Sequence, residues 1–233
     1  NSAAALMVAG RGLVALMTAP PQSAPESRNG GWTDVVAGFR YVWHAKIVLG
    51  AISLDLFAVL LSGATALMPA YARDILVVGP VGLGLLRSSL GVGGIAMAML
   101  LTVRPIRDHA GVSMFIAVAV WGVCTAVFGL SETLWLSILA LFIMGAADMV
   151  SVYVREILIQ VATPDEVRGR VNAVNMVFVG ASNELGEFRA GTMAALIGVV
   201  PAVVVGGIGA VAVAGIWSYA FPQLRKARRL DGT

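Results

Sequence analysis

Six long apolar runs, each about 20 residues or more and bounded by charge, proline or a polar cluster, organise the chain. They cover residues 47–70, 81–103, 111–130, 134–157, 170–196 and 199–221. Crossing roughly 30 Å of hydrocarbon takes about 20 helical residues, so each run predicts a membrane-spanning helix. A shorter run over 3–19 carries Arg11 in its middle and reads as the end of a helix whose beginning is missing. Pro80, Pro105, Pro164, Pro201 and Pro222 fall at or beyond the predicted helix ends, where a missing N–H is tolerated, and only Pro69 sits inside a last turn. The runs do not alternate apolar with polar positions, which argues against the short, inward-polar segments of a transmembrane barrel.

Between the stub and the first full run, residues 20–46 divide in two. PPQSAPESRNGG, 20–31, has the composition of a linker. From Trp32 onward Trp32, Val35, Val36, Phe39, Val42 and Trp43 repeat at helical spacing on one face, with Asp34, Arg40, Tyr41 and His44 off it. This predicts an amphipathic helix lying in the membrane interface; the alternative is that it is the entry to the first span. The expected organisation is a partial helix at 1–19, a linker with interfacial helix at 20–46, a bundle at 47–221 and a basic tail at 222–233.

Composition narrows the class further. Of 233 residues 58% are hydrophobic and 12% charged, the latter about half the ~25% of soluble domains. A soluble chain of this length cannot bury so much apolar surface, and a mean hydropathy of +0.87 agrees. The prediction is an all-α polytopic membrane protein, a bundle of six transmembrane helices plus the partial one. A net charge of +3 is too small and dispersed for a nucleic-acid partner, and the single cysteine, Cys124, excludes a disulfide scaffold.

Lys and Arg set the orientation. The connections 20–46, 104–110 and 155–170 and the tail hold 12 of the 16: Arg28, Arg40, Lys46, Arg104, Arg107, Arg155, Arg168, Arg170, Arg225, Lys226, Arg228 and Arg229. The positive-inside rule places these and the C-terminus in the cytoplasm.

Ionisable residues inside a membrane are costly and point to function. Asp55, Arg87, Asp148, Glu184 and Glu187 qualify. On the fifth run Asn172, Asn175, Ser182, Asn183 and Glu187 form one stripe, with Glu184 at its border, so this helix is expected to line a pathway. Structural alternatives are an Asp55–Arg87 ion pair, a hydrogen bond from Asp148 across the close contact made by Gly145, Ala146 and Ala147, and carboxylates of Glu184 and Glu187 wetted from outside with Arg189 as partner. Gly94 with Ala98, Gly186 with Ala190 and Ala194, and Gly206 with Ala210 and Ala214 are spaced for close helix packing. No nucleotide loop, catalytic constellation or metal-ligand spacing is present, and His44 and His109 lie far apart. An enzyme is not expected, nor a cofactor, a catalytic residue or a metal site.

Two strings carry a family likeness. RPIRDHAG at 104–111 resembles the degenerate second copy of the G-x-x-x-D-R-x-G signature of major facilitator transporters; Asp108 and Gly111 match, His109 replaces the basic residue and Arg104 stands where the first Gly is expected. ATPDEVRGRVNAVN at 162–175 with GASNELGEF at 180–188, and LDLFAVLLSGATALMPAYARDIL at 54–76, are similar to the enterobactin-exporter-like branch of drug and siderophore efflux proteins. The resemblance implies the C-terminal half of a 12-helix fold, helices 7 to 12, whose N-terminal six-helix half is missing. It also implies proton-driven efflux of a small amphiphilic substrate, with no cofactor beyond the proton gradient, in a plasma (inner) membrane. Asp55, Arg87, Asp148, Asn183, Glu184 and Glu187 would then be the pathway candidates. Arg104, Arg107, Asp108, Gly111, Arg168, Gly169 and Arg170 would form cytoplasmic latches, with Asp108 against nearby arginines, and Arg168 and Arg170 against Asp165, Glu166 or lipid phosphate. The alternative is a half-length membrane scaffold without transport activity, or a truncated product.

Overall fold

A computed structural model describes residues 32–106 and 108–226, with side chains from Val36 onward. The expected partial helix at 1–19, the linker at 20–31, Arg107 and residues 227–233 lie outside the described residues. Among the described residues the elements are helical: α1 (Trp32–His44), α2 (Lys46–Ser62), α3 (Ala64–Ala70) running into a π-helical turn (Tyr71–Ile75), α4 (Gly79–Val103), α5 (Ala110–Leu130), α6 (Leu134–Ala162), α7 (Asp165–Ile197), α8 (Val199–Ala220) and the short α9 (Pro222–Arg225).

Among the described residues, five segments are long and apolar enough to cross a membrane: Lys46–Ile75, Gly79–Val103, Ala110–Leu130, Leu134–Ala162 and Val199–Ala220. The sixth expected span, 170–196, is instead the interior of α7, which has 33 residues and a length of about 50 Å. Its charged and amide side chains keep it out of the apolar class. Two boundaries also move. The first span continues past Pro69 to Ile75. The fourth runs to Ala162 and not 157, so Arg155 belongs to a helix and not to a connection.

The packing order follows from the buried faces. α4 lies on α6, α6 on α5, α5 on α8, and α8 on α2, which also packs against α7 and α6. α2 is the central helix, with Val48, Ala51, Leu54 and Ala58 fully or almost fully buried. On the outside, Val81, Val92, Ile95, Met99 and Val103 of α4 are exposed, as the lipid-facing side of a bundle requires.

Successive antiparallel helices bring the turns after α4, α6 and α8 to one end, with α1 beside them. The Tyr41 hydroxyl donates to the Ala162 carbonyl at 2.7 Å, and Gly38 lets α1 close onto the Arg170 backbone of α7. Val42 of α1 is buried, whereas Val36, Phe39 and Trp43 are exposed, as in a helix half sunk in an interface. The described basic residues Arg40, Lys46, Arg104, Arg168, Arg170, Arg225 and Lys226 collect at this end. At the opposite end Tyr71, fully buried, packs on Phe128 in a tilted ring pair with centroids 4.6 Å apart. Its hydroxyl donates to the Gly129 carbonyl, 2.5 Å away, near the end of α5.

Candidate functional site

The site is built around a break in the first span. α2 ends at Ser62 because Gly63 takes a left-handed conformation, φ 54° and ψ 18°, before α3 resumes. Glycine reaches this region at little cost, and here it also makes room: a Cβ on Gly63 would lie 2.5 Å from the Ala190 Cβ and 2.6 Å from the Gly186 carbonyl oxygen. The small residues expected at Gly186 and Ala190 are thus the surface on which α7 meets the break.

A helix end leaves carbonyls without intrahelical donors. Here Arg189 of α7 supplies them. Its Nε donates to the Leu60 carbonyl at 2.8 Å, and one terminal nitrogen donates to the carbonyls of Leu61 and Ser62. The guanidinium also sits where the negative end of the α2 dipole is. Arg189 is therefore not the partner of Glu184 or Glu187, as one reading of the sequence has it; the break offers it three carbonyls, and a planar fork of donors fits them. We expect Arg189→Met to lower stability by about 1.5–3 kcal/mol, the usual worth of hydrogen bonds to a charged group, measured by thermal unfolding in detergent. Arg189→Lys should recover part of that loss, and an unchanged melting temperature in the Met variant would remove Arg189 as the cap.

Beside the break lies a cavity of about 150 Å³, lined by Val59, Ser62 to Thr65, Leu90, Trp121, Met144, Asp148, Asn183 and Glu187. It brings together three of the predicted pathway residues, Asp148 from α6 and Asn183 and Glu187 from α7. The polar stripe of α7 divides: Asn175 and Ser182 are buried against the bundle, whereas Asn183 and Glu187 are exposed on the open side of the cavity. Glu184, at the stripe's border, is exposed and lines no part of this cavity. A separate cavity of about 220 Å³ between α1, α2 and α7 is walled by Phe39, Trp43, Leu56, Phe57 and Phe178. Its polar lining residue, Ser53, is already engaged by the Leu49 carbonyl and the Trp217 indole N–H.

Asp55 is 8% exposed and forms a buried ion pair with Arg155 of α6, itself 5% exposed. The expected pair with Arg87 does not form, and depth explains why. Counting from the basic end at 1.5 Å per residue, Asp55 stands roughly 14 Å in, Arg155 about 10 Å and Arg87 about 24 Å. α6 also packs directly on α2. Arg87 is exposed on α4. Around the pair, Arg155 Nε lies 3.7 Å from Glu156, and Asn175 donates to the same Glu156 oxygen at 3.1 Å. Arg155 is the residue that sequence reasoning misplaced, as a topological charge. The signal was there: Asp148, Ser151 and Arg155, spaced i, i+3 and i+7, share one helix face.

The residues expected to latch the basic end have mixed roles. Arg168 pairs with Asp165 at 2.5 Å and donates to the carbonyls of Gln160 and Thr163, bracing the α6–α7 turn. Gly169 faces open space, and the backbone of Arg170 is the seat for Gly38. Arg104 and Asp108 are exposed. Gly111 is a packing position: a Cβ there would meet the Leu224 carbonyl oxygen at 1.7 Å, so α9 rests directly on the start of α5.

The arrangement can hold a proton or an organic cation on carboxylates next to an aromatic wall. It joins that cavity through Asp148 to a buried acid–base pair. A family model described as transmembrane secretion effector matches residues 8–231. Neither the curated proteins nor the solved structures give a match to the chain. Multi-pass helical architecture and a family match over nearly the whole length lead to one conclusion: the chain belongs to the transmembrane secretion effector family, transporters of the major facilitator type and not enzymes.

Proposed function

We propose that this bundle is one half of a proton-coupled exporter, opposed by a second six-helix half, that moves a small amphiphilic compound outward by alternating access. The observation that carries this reading is the cavity at the Gly63 break, where Asp148, Asn183 and Glu187 share a wall with Trp121, Met144 and Leu90. Broken helices and midplane polar residues at a cavity are how secondary transporters build their sites. Apolar and aromatic lining suits the body of an amphiphile, and the carboxylates suit a proton exchanged against it. In this reading α7 is the sixth span, kept in the bilayer by turning Asn183 and Glu187 to the cavity and not to lipid. The basic end, with α1 in the interface, is the cytoplasmic side of the plasma membrane. The proton gradient is the energy source, and no cofactor takes part.

The test uses the full-length protein in liposomes with an imposed pH gradient, against a panel of ethidium, erythromycin and a catechol-bearing siderophore. Gradient-dependent movement of at least one compound is expected. Glu187→Gln should abolish that dependence while the protein still inserts and folds. Wild-type, gradient-dependent transport by Glu187→Gln would take Glu187 out of the mechanism, and no gradient dependence in the native protein would overturn proton coupling.

A further inference from the structure

Between the substrate cavity and the buried ion pair lies a second, much smaller space. It leaves about 10 Å³ open to the centre of a water molecule and is lined by Asp55, Ala58, Val59, Val118, Trp121, Asp148 and Ser151. That is about the smallest volume that holds one water, which also needs two to four polar partners. Three are present: the carboxylates of Asp55 and Asp148 and the hydroxyl of Ser151. Ser151 is 3% exposed, and its Oγ has no hydrogen-bond partner in the protein. A serine on a helix ordinarily satisfies its hydroxyl on a carbonyl one turn back; an orphaned buried hydroxyl has a cost unless something occupies the space it faces. Val59, Trp121 and Asp148 line both cavities, so the small one adjoins the large one across these side chains.

We propose that this space is a hydration site, in which one water held by Ser151 links Asp148 to Asp55 and carries protons between the substrate cavity and the Asp55–Arg155 pair. The inference rests on the proton-coupled reading above. The step balances without any other reactant. The Asp148 carboxyl gives its proton to the water oxygen, the water passes a different proton to the Asp55 carboxylate, and the Ser151 hydroxyl turns to follow. With Asp55 neutral, Arg155 loses its counter-ion and can lean on Glu156. Other charged or polar groups near this line are limited. α6 supplies Asp148, Arg155 and Glu156, and α7 supplies Asn175, Asn183 and Glu187, with Arg189 engaged by the carbonyls of Leu60, Leu61 and Ser62. α5 and α8 contribute no charged residue, and the one on α4, Arg87, is exposed.

The experiment compares Ser151→Ala and Ser151→Thr with the native full-length protein, using the fastest-moving compound of the liposome panel and trapped pyranine to follow protons. Two rates are read: gradient-driven transport, and exchange of labelled for unlabelled compound at equal pH. Ser151→Ala is expected to lower driven transport by about 100-fold, the scale of a lost proton-transfer group, and to leave exchange within about twofold, since exchange needs no proton to cross the relay. Ser151→Thr should behave as the native protein. Driven transport at the native rate in Ser151→Ala overturns the relay, and so does an equal fall in both rates, which would make Ser151 structural. A native protein that exchanges compound but ignores the gradient overturns proton coupling itself, and the relay with it.

Discussion

Arg155→Met is expected to destabilise the bundle by about 3–5 kcal/mol, because it leaves the Asp55 carboxylate buried with no counter-charge. Both side chains are almost closed to solvent, at 6% and 10% exposure, so neither can turn outward for relief. Stability would be measured as the shift in the unfolding midpoint on titrating detergent micelles with denaturant. The double replacement Asp55→Leu with Arg155→Met is the decisive companion. Removing both charges in favour of apolar groups of similar size is commonly neutral or stabilising, so the double variant should return close to native stability. It should also be inert in gradient-driven transport, because it deletes the acid at the end of the relay. A single variant as stable as the native chain would mean that the ion pair carries no structural weight. A double variant still driven by the gradient would separate the pair from coupling altogether.

Gly145→Val is expected to pull α4 away from α6. The two helices meet at a reciprocal contact: a Cβ on Gly145 would lie 2.0 Å from the Leu90 carbonyl oxygen, and one on Gly93 would lie 2.0 Å from that of Phe142. Ordinary C···O contacts across close helices are about 3.3–3.6 Å. Even alanine therefore needs a separation of more than about 1 Å, and the blocking atoms are backbone, which cannot rotate aside. Overpacking of this kind typically costs about 1–3 kcal/mol. α4 is vulnerable because its buried residues are few, chiefly Gly82, Leu86, Ser89, Gly93 and Leu101. The measurement is disulfide trapping between cysteines introduced at Leu90 and Gly94 on α4 and at Ala146 on α6. Efficient trapping in the native background should fall several-fold with Gly145→Val. Unchanged trapping and an unchanged melting temperature would show that the contact yields without cost.

Much of the fold could be read from the sequence because membrane helices carry their own boundary marks. Uninterrupted apolar runs ended by Pro80, Pro105, Pro164 and Pro222 located the helices to within a few residues. The polar stripe from Asn172 to Glu187 pointed to the side of α7 that carries the cavity, but only Asn175 and Ser182 are buried in the bundle, while Asn183 and Glu187 stay exposed at the cavity. The partner of Asp55 was not legible in the same way. Arg155 lies 100 residues further along and near a helix end, where a basic residue reads as a topology signal. Only the packing of α6 on α2, a tertiary fact, assigns it to the pair. The break at Gly63 was hidden for another reason. Its surroundings, LLSGATALMPA, stay apolar throughout, so hydropathy passes over a change in backbone direction. Pro69 was the available hint: it cannot donate to the carbonyl of Thr65, which loosens the same stretch. Arg189 could be recognised as a cap only once that break was known.

α5 and α8, packed side by side, contain no charged residue, while the acids, amides and bases that define the site come from α2, α6 and α7. The bundle thus separates two kinds of inheritance. In the α5–α8 wall, change is bounded chiefly by volume and contour, with Trp121 the residue of that wall which also faces the cavity. On α6 and α7 a single codon change alters the electrostatics of the cavity without disturbing the wall behind it. A descendant of this protein could acquire a new cargo by changes of charge on those two helices, while α5 meets that cargo through the apolar face of Trp121.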